Sequence, residues 1–198
     1  MNLELIFRTA FWGEIGFVVL MRAWFANRVR RAGERLAPDR ASIGREGGLV
    51  FAIRFSGLLL LLVLIVLALR HKLSGAEIPM PIWLRWSGLA LGFAGAGLWT
   101  WTHVALGRFW SPQLQLRARH ELIMNGPYSH VRHPMYTAIV MWLTGLGLVI
   151  ANWVPLIFAV WMAAFVYLRA SREEKMMLEH FGDGYRKYMS HTGRFFPL

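Results

Sequence analysis

"GLGLVIANWVPLIF", Gly145 to Phe158, carries two apolar runs on either side of a two-residue link, Ala151 and Asn152. Tyr136–Ile150 runs into it and Trp153–Leu168 runs out of it. So short a connection leaves these runs one arrangement, a tight antiparallel helical hairpin. Asn152 precedes the second run, where its side chain suits the helix cap. Pro155 falls in the first turn, where a missing N–H costs nothing.

Outward from this hairpin lie three more apolar segments. Ile82–Leu106 is rich in glycine ("SGLALGFAGAG") and tryptophan. Its small residues permit close helix packing, and Trp99 and Trp101 suit an interfacial anchor. Leu49–Leu69 contains "LLLLLVLIVLAL", and at 1.5 Å per residue such a run spans roughly 30 Å, a hydrocarbon core. Phe7–Phe25 is interrupted by Arg8, Glu14 and Arg22. With 56% hydrophobic and 17% charged residues over 198 positions, the expectation is an all-α, polytopic transmembrane bundle of about five helices followed by a helical cytoplasmic segment.

The formal charge of +11 does not point to nucleic acid, because apolar helices separate the cations instead of leaving them on one solvated face. Cysteine is absent, which excludes disulfides, thiolate catalysis and cysteine metal ligands. The first residues lack a basic leader and a small-residue cleavage site, so they are expected to stay in the mature protein. Lysine and arginine concentrate after the first segment (Arg28, Arg30, Arg31, Arg35, Arg40, Arg45), after the third (Arg108, Arg117, Arg119, Arg132) and in the tail (Arg169, Arg172, Lys175, Arg186, Lys187, Arg194); the other links hold Arg70 and Lys72. An odd number of spans puts the three basic regions on one side, the cytoplasmic one by the positive-inside rule.

Two polar stretches therefore share that face. In "GPYSHVRHPMY", Gly126 to Tyr136, Gly126 and Pro127 mark a turn, Pro134 forces His133 toward an extended conformation, and the next helix is expected to begin at Pro134. A helix N-terminus favours an anion such as a carboxylate, with Arg132, His133 and Tyr136 around it. The same residues also suit positive-inside statistics and an aromatic belt. In "RASREEKMMLEHFGDGYRKYMSHTGRFFPL", Arg169 shares a helical face with Glu173 and lies close to Arg172, with Glu174 beside them. This arrangement suits an anionic substrate next to a cationic cofactor, or equally a solvated helix end. Gly182 and Gly184 are expected to break the helix, leaving Tyr185 and Tyr188 on a short amphipathic piece. Arg54 and Arg85 are placed to snorkel to headgroups, and His103 to pack among tryptophans. No HExxH, Walker loop or GxGxxG occurs, so neither a metal site nor a soluble nucleotide-binding fold is expected.

Taken together, "HELIMNGPYSHVRHPMYTA" and "REEKMMLEHFGDGYRKYMSHTGRFFP", joined by a helical hairpin, resemble the isoprenylcysteine carboxyl methyltransferase and phospholipid methyltransferase superfamily. The resemblance covers about the last hundred residues. It implies a single integral membrane methyltransferase domain over 1–198, with 1–106 forming the first three helices and 107–198 the catalytic core. It implies S-adenosylmethionine as cofactor and S-adenosylhomocysteine as product, without a Rossmann domain. By resemblance Tyr128, Val131, Arg132, His133, Pro134 and Tyr136 line the cofactor site, Glu173 and Glu174 close it, and Arg169 and Glu173 are the catalytic candidates, Arg169 orienting a substrate carboxylate. Many relatives carry a glycine where this chain has Ala138. The implied partners are membrane lipids and a lipophilic or prenylated acceptor. A carboxylate acceptor is already ionised at neutral pH and needs no base; a phospholipid amine would need one, with Glu173 or His133 available. A small thiol is a further acceptor, and an NADPH-dependent sterol-type reductase or a non-enzymatic scaffold are readings of other classes.

Overall fold

The computed structural model describes residues 2–31, 74–107 and 122–198, together with Gly48, Ala52 and Phe55. Nearly all of Leu49–Leu69, Arg54 included, lies outside the described residues, as do Arg35, Arg40, Arg45, Arg70, Lys72, Arg108, Arg117 and Arg119. The described residues form α1 (Leu3–Arg31), α2 (Ile82–Leu106), α3 (Pro134–Val149), α4 (Trp153–Phe181) and α5 (Asp183–His191), with 3-10 turns at Ser74–Ala76 and Gly126–Ser129 and isolated bridges outside them. The protein is all-helical. Among the described residues, α2 and α4 are long and apolar enough to cross a membrane, and α3 is a shorter apolar helix. Exposed Leu20, Phe93, Val104, Ile157 and Val160 give the bundle an apolar outer face suited to lipid.

The hairpin forms as its two-residue link requires. The N–H of Asn152 donates to Gly147 O (3.1 Å) and that of Ala151 to Leu148 O (3.2 Å). Ala151 takes the left-handed φ of 49° that reverses the chain. Asn152 Oδ1 then accepts from the N–H of Val154 at 2.9 Å, capping α4. Below the turn, Leu143, Phe158 and Ala159 form a buried cluster with Ile139, Trp142, Trp161 and Met162 packed against it.

α2 lies against α3 along a seam of small residues. A Cβ added to Gly145 would stand 2.5 Å from the Gly92 nitrogen and 2.7 Å from the Gly88 oxygen, and one added to Gly95 2.8 Å from Ala138 O. Gly88, Gly92 and Ala96 recur every four residues, so one face of α2 admits the backbone of α3 directly. Ala138 is fully buried at this seam. Its carbonyl stands where a Cβ on Gly95 would have to go.

α1 is continuous through Arg8, Glu14 and Arg22. Phe7 packs on Trp86 (5.1 Å) and Phe25 on His103 (4.7 Å), while buried Glu14 sits beside Gly92. Two expectations are corrected here. Arg85 does not snorkel: it is buried, donating from Nε to Val149 O at 2.9 Å and pairing with Glu4, because the exposed carbonyl end of α3 and the start of α1 meet it inside the bundle. Trp99 is no interfacial anchor but is buried against Phe25 and His103; Trp101 is half exposed. His103 is packed as expected, its Nδ1 2.9 Å from Trp99 O.

Candidate active site

Pro134 begins α3, as its ring geometry and missing N–H favour, and the preceding turn Gly126–Ser129 is a single 3-10 turn. Gly126 carries the left-handed φ of 59° that opens it. α4 continues as helix well past its apolar stretch, so Arg169, Glu173 and Glu174 project from a regular helix beyond Leu168. The chain then reverses at Gly182 (φ 54°), where a residue with a side chain would be strained. Gly184 does not break anything. It lies inside α5, whose buried face is Tyr185 and Tyr188.

The last residues fold back onto the start of α3. The N–H groups of Arg132 and His133 donate to Gly193 O (2.9 Å) and Arg194 O (3.0 Å), and Val131 bridges to Gly193 in parallel. Thr137 Oγ1 donates to Phe195 O at 2.8 Å, and Tyr188 Oη to Tyr128 O at 2.6 Å. A Cβ at Gly193 would collide with the carbonyl of Phe196. The tail thus pairs with the two residues before α3, while the N–H groups of Tyr136 and Thr137 in its first turn point back to His133 O (3.1 and 3.3 Å). The carboxylate of Glu174 reaches the same end of the bundle through the side chains of Arg132 and His133.

Glu174 is the hub of this end. Its Oε1 lies 3.0 Å from Arg132 Nε and 3.2 Å from His133 Nε2, and its Oε2 lies 3.0 Å from Arg194 Nη2. Arg132 also donates through Nη1 to the carbonyls of Met189 (3.2 Å) and Thr192. Burial pushes the Glu174 carboxyl up, but the hydrogen bonds from His133 and Arg132, with the charges of His133 and Arg194, outweigh it and hold it at about 2, against an ordinary 4.5.

Glu173 faces differently. Its side chain keeps about a third of its surface exposed (34%), lies 3.7 Å from His133 Nδ1, and accepts at 2.7 Å from the Tyr136 hydroxyl. That hydroxyl accepts in turn from Arg169 Nε at 2.9 Å. The His133 ring stacks on Tyr136 with centroids 5.3 Å apart and planes 4° from parallel. Burial pushes the Tyr128 phenol well above its ordinary range, as do the Glu173 charge and the neighbouring Tyr136 and Tyr188; burial likewise pushes Tyr188 up to about 12. Both phenols remain neutral, and that of Tyr188 donates to Tyr128 O.

All the residues expected at the site therefore meet at one end of the bundle, in different capacities. Arg169, Tyr136, Glu173 and His133 present polar groups together; Arg132 and Glu174 bind the tail; Val131 and Pro134 contribute buried backbone geometry. Arg172 and His130, from the same stretches, are exposed. Sequence reasoning missed Arg194, Thr137 and Gly193 as parts of this end. Nothing local to "HTGRFF" or to Thr137 marks them, because the backbone bonds of Gly193 and the bond of Thr137 to Phe195 O join residues about sixty positions apart.

The fold and this site define an integral membrane helical protein with an ion-paired polar site at one end of its bundle. The phospholipid methyltransferase family model matches residues 83–184, just over half of the chain, and the chain belongs to that family. It is 32% identical over 80 residues to a protein-S-isoprenylcysteine O-methyltransferase of Schizosaccharomyces pombe, covering 40% of this chain and 34% of that protein. It is 29% identical over 121 residues to the cobalt-zinc-cadmium resistance protein CzcN of Cupriavidus metallidurans, covering 57% and 54%. Its fold is similar to that of the eukaryotic intramembrane Ras methyltransferase ICMT, with a TM-score of 0.50 and 23% identity over 77% of this chain and 53% of that one. The chain thus spans about a third to about half the length of these relatives.

Proposed function

We propose that this protein transfers a methyl group from S-adenosylmethionine to a lipophilic acceptor at the cytoplasmic face of its membrane, the acceptor being most like an isoprenylcysteine carboxylate. The observation that carries this reading is the Arg169–Tyr136–Glu173 chain, which joins the two polar stretches. Family membership and the isoprenylcysteine methyltransferases among its relatives support it.

The residues suit the cofactor. An amino-acid ammonium beside a sulfonium needs an accessible carboxylate among aromatic surfaces, and Glu173 is the partly exposed one, beside stacked His133 and Tyr136. Of the two adjacent glutamates, Glu173 is therefore the cofactor-facing group, while Glu174 is engaged by Arg132, His133 and Arg194. Bound there, S-adenosylmethionine would supply the electrophilic methyl carbon, the sulfur keeping the electron pair of the broken bond as the acceptor oxygen takes the methyl. Arg169 holds the carboxylate without removing its nucleophilic lone pair. No proton moves, so positioning is the main task, and such positioning lowers barriers by roughly 7–11 kcal/mol.

A second reading, transfer to a phospholipid amine, is favoured by His133, whose Nδ1 and Nε2 lie between Glu173 (3.7 Å) and Glu174 (3.2 Å). There a proton leaving the amine has a place to go. Radiolabelled methyl transfer to a small S-farnesylcysteine, to phosphatidylethanolamine and to a thiol separates the readings, and base-labile label identifies an ester. The wild type is expected to gain thermal stability with S-adenosylhomocysteine, and Glu173→Ala to lose most of that gain. Absence of any shift at saturating ligand, with no label in any acceptor, would overturn the methyltransferase reading.

A further inference from the structure

We infer that Tyr136 is a positioning residue for Arg169: its hydroxyl fixes the plane of the guanidinium that receives the acceptor. The inference rests on the functional reading above.

Three observations place Tyr136 in this role. Its ring is held independently of its hydroxyl, by stacking on His133 with planes 4° apart. Its hydroxyl bridges two groups of the facing helix, Arg169 Nε at 2.9 Å and Glu173 Oε2 at 2.7 Å. The direction of this bridge is forced. A guanidinium only donates and a carboxylate only accepts, so the phenol must take from Arg169 and give to Glu173. Phenylalanine would keep the ring and lose both bonds.

The geometric consequence falls on Arg169, which is buried at 6% exposure. A long side chain carries several rotatable bonds, and a hydrogen bond at Nε removes the last rotation, about the axis that swings the terminal nitrogens. With Nε tied to a phenol anchored on α3, the direction from which a carboxylate meets the terminal nitrogens is set. An in-line displacement tolerates little error in that direction, since a misplacement of about 1 Å costs on the order of a hundredfold in rate.

The test uses the full chain in detergent or nanodiscs, labelled S-adenosylmethionine and a small S-farnesylcysteine. For Tyr136→Phe, kcat is expected to fall on the order of 10–100-fold, a larger factor than the loss of affinity for S-adenosylhomocysteine that follows from the lost bond to Glu173, with thermal stability close to wild type. Because Tyr136 acts through Arg169, the double variant Tyr136→Phe, Arg169→Lys is expected to be no slower than Arg169→Lys alone. An unchanged kcat in Tyr136→Phe overturns the inference. So does a loss confined to stability and cofactor affinity, or a double variant in which the two losses multiply. A wild type that neither binds S-adenosylhomocysteine nor labels any acceptor defeats the functional reading itself, and is told apart because it shows before any substitution is made.

Discussion

The α2–α3 seam and the tail clasp hold the protein together by opposite means. Along the seam, Gly145 lies against the backbone of Gly88 and Gly92, and Gly95 against that of Ala138 and Trp142, with no space for a Cβ at either. At the clasp, Arg132 and Arg194 converge on Glu174 while Tyr188, Thr137 and Gly193 tie the tail by single hydrogen bonds. The seam depends on volume and is indifferent to charge. The clasp depends on charge and on complete pairing, because a buried ion without its partner is costly.

The largest effect should come from the seam. Gly145→Leu puts a side chain where the first carbon already stands 2.5 Å from a backbone nitrogen. Backbone cannot swing aside as a side chain can, so the expected outcome is loss of a monodisperse folded species, read by size-exclusion in detergent. Recovery of wild-type stability in this variant would show that the helices lie further apart than described.

Next comes the clasp. Glu174→Ala leaves Arg132 and His133 without their shared carboxylate, and removing one partner of a buried ion pair costs about 3–5 kcal/mol. The expected readout is faster hydrogen exchange and proteolysis across Asp183–Phe195, with the seam still protected. The same clasp carries a pH dependence. A carboxyl depressed from 4.5 to about 2 contributes stability that is fully present above about pH 4.5 and is lost as pH falls through about 2. Tail protection should therefore hold from neutrality to about pH 5 and decline below it; a decline centred near neutrality would locate the controlling group elsewhere.

The smallest effect sharpens the comparison from within α2. A Cβ at Gly97 meets nothing within 4 Å, so Gly97→Ala should raise helix stability by about 0.5–1 kcal/mol, seen as a modest increase in melting temperature. Glycine on the seam and glycine off it would then answer an added side chain with opposite signs.

Much of this was legible beforehand. The two-residue link required the hairpin, Ile82–Leu106 was bounded by its own composition, and Pro134 marked the start of α3, because turns, caps and proline geometry act over a few residues. The two polar stretches were visible as candidates for the same reason. What could not be read was the partition of labour inside them. Glu173 and Glu174 are adjacent and identical in type, yet they point about 100° apart around one helix. One reaches Tyr136 and the other reaches Arg132, His133 and Arg194.

The amino-acid sequence by itself therefore determined the helices, the hairpin and which residue types gather near one end of the bundle, since these follow from local chain geometry and from the exclusion of charge from apolar spans. Only the tertiary structure decided that Arg85 closes the far end of the bundle instead of reaching for headgroups, that the tail occupies the start of α3, and that Tyr136 stands between Arg169 and Glu173. The physical reason is separation along the chain. A hydrogen bond acts over about 3 Å, and which side chains come that close is settled by how the helices pack.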